Sequence, residues 1–140
     1  MLKTYLFWET FFLLAAVGVI HYIAQTYNLY WSVYEFDSFV HFLAGMTVSL
    51  FFSWLYFFSG FFNPPDRNLL NFLIVSVVGT IFIGISWETF ELLIGEALMQ
   101  KAAYPYDTMM DLIMDFLGAT TACFYGFMRE QELESKEAQV

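Results

Sequence analysis

The sequence predicts an all-α integral membrane protein, a four-helix bundle with both termini on the same, cytoplasmic side. Three observations carry that prediction. Of 140 residues, 59% are hydrophobic and only 14% charged, a composition outside the soluble range. Four apolar segments, at about 4–26, 37–62, 68–96 and 106–128, each supply the roughly 20 residues that cross a hydrocarbon core about 30 Å thick. Basic residues then divide unevenly between the two ends of such a bundle.

Lipid offers no partner to unpaired backbone groups, so all four segments are expected to be helices. The first, centred on FFLLAAVGVI, carries Lys3 and Glu9 and is followed by no small-residue cleavage site, so it reads as a retained span. Glu9 is expected to reach for the nearby interface. Residues 27–36, including NLYWSVYEF, read as an aromatic interfacial segment. NPPDRN at 63–68 reads as a tight polar turn, with Pro64-Pro65 stopping the second helix. Gly118, Ala122 and Gly126 recur every four residues along the fourth helix, the spacing of a small-residue packing seam. Residues 1–128 thus form the transmembrane domain. Residues 129–140, REQELESKEAQV, form a charged cytoplasmic tail, either a solvated helix end or disordered.

With four spans, Lys3, Arg67, Arg129 and Lys136 fall on one side and Lys101 on the other. Positive-inside bias puts the first side in the cytoplasm. The net charge is −9 with no basic cluster, which argues against a nucleic-acid partner and leaves the lipid bilayer as the first one. The many Phe residues could cover lipid or another subunit, in a homo-oligomer or a membrane complex. Cys123 is the only cysteine and can form no internal disulfide.

Charges inside the predicted spans are the informative feature. Asp37 and His41 lie at the outer end of the second helix, Glu88 and Glu91 at that of the third, and Asp107, Asp111 and Asp115 open the fourth. Hairpin connectivity brings these sets together whichever way the bundle faces. Steps of three or four put each set on one helical face, and in lipid that face turns inward. Buried neighbouring carboxylates cannot all stay ionised, so some are protonated or a cation sits among them. Acids with a histidine suit a divalent ion such as Zn, Fe, Mn or Mg, and inward carboxylate and histidine pairs are how bundle metal sites are built. The candidate ligands are Asp37, His41, Glu88, Glu91, Asp107 and Asp111. Each has a plainer reading: Asp37 and Asp107 as helix caps, Glu88 and Glu91 as protonated clasps between helices. His21, near the outer end of the first helix, could join the site or serve packing alone.

FDSFVHFLAG (36–45), WETFEL (87–92) and YDTMMDLIMDFLGA (106–119) resemble the YjdF-like family of small bacterial and archaeal inner-membrane proteins. The positions that match its pattern are Asp37, His41, Phe42 and Gly45, then Glu88 and Glu91, then Asp107, Thr108, Asp111, Gly118 and Ala119. Asp115 lies outside that pattern. A looser likeness to VanZ-like membrane proteins rests on Asp37 and His41. The resemblance implies the membrane fold and the site residues, and no particular reaction.

The favoured function is a membrane protein with a carboxylate and histidine cation site in the outer half of its bundle. One alternative is a metal-dependent enzyme acting on a lipid or lipophilic substrate. Another is a structural or transporter subunit using the acids as a clasp or proton site. No nucleophile elbow, HExxH or phosphate loop is present in the sequence.

Overall fold

The computed structural model describes residues 2–62, 64, 66–95 and 104–137. Lys101 and the rest of the 96–103 connection lie outside the described residues. The described residues form an all-helical fold. Four long helices, α1 (Leu2–Tyr27), α3 (Phe36–Ser53), α4 (Leu69–Ile94) and α5 (Tyr104–Glu137), are joined by one short one, α2 (Leu29–Ser32). Asn28 and Glu35, both in the left-handed region at φ 54° and 56°, bound α2 and turn the chain from α1 into α3.

Among the described residues, three helices are long and apolar enough to cross a membrane, over Tyr5–Tyr27, Phe36–Phe58 and Leu69–Ile94. The acid-bearing α5 is not among them. It buries its acids instead: Asp111 and Asp115 are only 3% and 6% exposed. Large apolar side chains such as Phe12, Val78, Phe82 and Leu93 cover the outside of α1 and α4, as a lipid-facing surface requires.

The second helix ends differently from the sequence expectation. It widens into a π-helical turn at Trp54–Phe58 and stops there, before Pro64. Gly60 (φ 87°) supplies the left-handed residue, and the Ser59 hydroxyl binds the Leu55 carbonyl. α4 starts where expected, because the Asn68 side chain accepts a hydrogen bond from the Asn71 N–H at 2.9 Å. α5 continues past 128, so the proposed tail is helical through Glu137, tied by a Lys136–Glu132 ion pair at 2.8 Å.

α3 and α5 cross at closest approach. A Cβ on Gly45 would run into the backbone of Asp115, and one on Gly118 into the Phe42 carbonyl. Each glycine is therefore a notch for the other helix. Below the crossing, the Ser49 hydroxyl donates to the Ala119 carbonyl at 3.0 Å. The core then fills with Leu50, Phe57, Phe72 and Cys123, with Phe57 stacked on Phe72 at 4.3 Å between centroids.

Basic residues gather at that same end. Arg67 pairs with the buried Glu130 at 2.8 Å and donates to the Phe57 carbonyl at 3.1 Å. Arg129 pairs with Glu9 at 3.4 Å, and the Tyr125 hydroxyl donates to Glu9 at 2.9 Å. Glu9 is thus tied to α5. The start of α1 and the end of α5 share one end of the bundle, and the acidic cluster occupies the other.

Candidate metal centre at the acidic end of the bundle

One helical turn separates Asp37 from His41, so both side chains leave α3 on the face that meets α5. From α5 come Asp111 and Asp115, also one turn apart. These four meet around the buried imidazole of His41. Its Nε2 stands 3.8 Å from Asp37 Oδ1 and 4.0 Å from Asp111 Oδ2. Its Nδ1 stands 3.4 Å from Asp115 Oδ1. The Gly45 and Gly118 notches make this possible, because only a close crossing brings an α5 carboxylate to each side of an α3 ring.

Asp37, His41 and Asp111 each offer a ligand atom, all within 4.8 Å of one another. Donors at 2.0–2.2 Å from a tetrahedral ion stand about 3.4 Å apart, so inward motion of roughly half an ångström would close the set. Charge supports such a fit. Among the described residues, Asp111 and Asp115 face His41 and pair with no Lys or Arg.

The other candidate residues lie outside that triad. Glu88 is buried, and its Oε2 accepts from the Thr108 hydroxyl at 2.7 Å. Its Oε1 is buried and has no hydrogen-bond partner among the described residues. Glu91 is half-buried and accepts from the Trp87 indole at 2.7 Å. Asp107, also half-buried, faces the cavity described below. Asp37 is not the cap of α3: it sits in the first turn, where its negative charge still complements the helix dipole. His21 binds the Tyr30 hydroxyl through Nδ1 at 2.7 Å, meets the Trp87 ring edge-on at 5.9 Å and lines the cavity described below, outside the triad.

Two residues take parts that the sequence reading did not assign them: Asp115, left out of the candidate ligands, stands against the far nitrogen of His41, and Thr108, named only in the family pattern, holds Glu88. The available signal was the stripe Tyr104, Thr108, Asp111, Asp115, Gly118, Ala122, whose alternating steps of four and three trace one straight face of α5.

A cavity of about 460 Å³ opens beside the triad between α1 and the other helices. Asp37 and His41 form part of its wall, as do Asp107 and Asp115. Its remaining surface is largely aliphatic and aromatic. The buried ligands are therefore accessible from one side.

Over residues 2–132 the chain matches the family described as "Predicted membrane protein (DUF2238)", and it belongs to that family. No curated protein and no solved structure matches it.

Proposed function

We propose that this member of the predicted membrane protein family binds a divalent metal ion through Asp37, His41 and Asp111. The observation that carries the reading is the convergence of three ligand atoms from two helices within 4.8 Å, with His41 and Asp111 buried and Asp37 half-buried. A charged group inside a membrane is costly unless paired, and a cation pairs several acids at once. An imidazole among carboxylates suits Zn, Fe(II) or Mn better than Mg. Asp115, against His41 Nδ1, is the carboxylate that fixes the ring's tautomer and orientation, as outer partners of ligating histidines do. Glu88, Glu91 and Asp107 serve as a second ring of acids that tunes the charge or joins the ligand set.

We read the site as lying in the outer half of the inner membrane of a prokaryote, with both termini cytoplasmic, in keeping with the YjdF-like pattern. The cavity favours a second reading, in which the centre is an enzyme site for a lipophilic substrate; a buried staple needs no access. In that reading the ion supplies Lewis acidity. Asp107 stands on the cavity wall as the carboxylate able to take a proton, and the aliphatic wall excludes water.

Elemental analysis of detergent-purified protein tests the metal site. Wild type should carry stoichiometric divalent metal, Asp111→Asn should lose it, and Glu88→Gln should keep it with a lower unfolding temperature. Metal-free wild type with unchanged stability in both variants would sink the reading.

A further inference from the structure

α1 packs chiefly against α3, and at the acidic end the edge-on contact of His21 with Trp87, 5.9 Å between centroids, bridges it to α4. Further along, the cavity lies between the two helices as a slot. Its walls there include Leu14, Val17 and Gly18 from α1 and Ile83 from α4, over a floor of Ala44 and Val48 from α3. A Cβ built on Gly18 meets nothing within 4 Å, so α1 leaves space at this point.

Two of these wall residues also belong to the outer surface. Leu14 is 60% exposed and Ile83 40%, one on each side of the slot. A cavity whose lining continues into the surface of both flanking helices opens sideways between them. Gly18 and Ile83 stand near the middle of the spans Tyr5–Tyr27 and Leu69–Ile94, so the opening lies at hydrocarbon depth. It is continuous with the lipid-facing surface that carries Phe12 on α1 and Phe82 on α4.

The surroundings decide what fills such a slot. Water finds no polar partners along aliphatic walls. Left empty, the slot forfeits the dispersion contacts of the atoms that line it. A lipid tail is as apolar as Leu, restores those contacts and already stands at the opening. We propose that one acyl chain of a bilayer lipid enters between α1 and α4 and lies in this slot. The floor residue Ala44 is one helical turn from His41, so the chain runs up to the candidate metal centre. This deepens the reading of a lipophilic substrate, and rests on it only for the chemistry at the metal.

The test is photo-crosslinking. Protein is placed in phosphatidylcholine nanodiscs doped with a phosphatidylcholine that carries a diazirine midway along one chain. After irradiation the lipid adducts are mapped by peptide mass spectrometry, and metal is measured on the same samples. Wild type should carry adducts on the half-buried floor, at Ala44 or Val48, as well as on the exposed Phe82. Gly18→Leu puts a side chain into the slot without displacing a contact, and it favours the helix. It should lose the floor adducts and keep those on Phe82, with metal content unchanged. Val17→Phe narrows the same slot and is read in the same way.

Adducts on Phe82 alone in wild type would overturn the inference, whether the slot is empty or filled by a second copy of the chain. Floor adducts that survive both substitutions would overturn it as well. Metal without floor adducts overturns this inference alone. Floor adducts without metal uphold it and overturn the metal reading instead.

Discussion

Asp115 Oδ1 lies 3.4 Å from His41 Nδ1, on the side of the ring opposite the Nε2 that faces Asp37 and Asp111. The imidazole is held from behind by one α5 carboxylate while its other nitrogen faces a second. Replacing Asp115 by Asn keeps the shape and removes the charge. Metal affinity should then fall about 10–100-fold with stoichiometry retained, the usual cost of losing such an outer partner. Competition against a chromophoric chelator measures it; an unchanged affinity would leave Asp115 without this role.

The α3–α5 crossing makes a separate prediction. Gly45→Ala and Gly118→Ala each press a methyl into opposing backbone, which cannot rotate away. Each should destabilise by about 1–3 kcal/mol or more, as overpacking does. Gly126→Ala, whose Cβ would sit 3.7 Å from the Phe72 ring, should cost much less. Thermal unfolding in detergent orders the three; equal effects would contradict the notch.

At the opposite end, burial pushes the Glu130 carboxyl above its ordinary value near 4.5, against the pull of Arg67. A raised value in the folded state means that Glu130 stabilises the fold most below the unfolded value, and that this is lost as pH rises through the folded one. The stability of wild type relative to Glu130→Gln should therefore decline from about pH 4 upward and then level off. Unfolding temperatures of both proteins across that range check the sign; a rising difference would contradict it.

The antiparallel arrangement predicts labelling. Tyr34, at the acidic end, is 90% exposed, and Asp66 lies in the connection at the other end. Cys123 is buried, so background reaction is low. Tyr34→Cys should react with an impermeant reagent in intact cells and Asp66→Cys only after permeabilisation. The same accessibility at both positions would break the orientation.

Spacing made the four long helices and the meeting of the acid-bearing faces legible, because both follow from local periodicity and hairpin order. Helix ends were less so. The Pro pair drew the stop of α3 too late, since Ser59 and Gly60 act first through one hydroxyl and one backbone angle. The helical continuation beyond 128 was one of two readings left open, because polarity suits a solvated helix end as well as a disordered tail. Glu9 and Arg129 stand 120 residues apart, and nothing local could pair them. The role of Asp115 depends on which nitrogen of His41 faces it, and so on how closely Gly45 and Gly118 let two backbones approach.

The most direct measurement of the central claim is X-ray absorption at the metal edge of protein purified with its native ion, comparing wild type with His41→Gln. The wild-type spectrum should show a shell of oxygen donors with one imidazole nitrogen, and the imidazole scattering should vanish in the variant. An all-oxygen shell in wild type, or an imidazole signal that survives the loss of His41, would contradict the site.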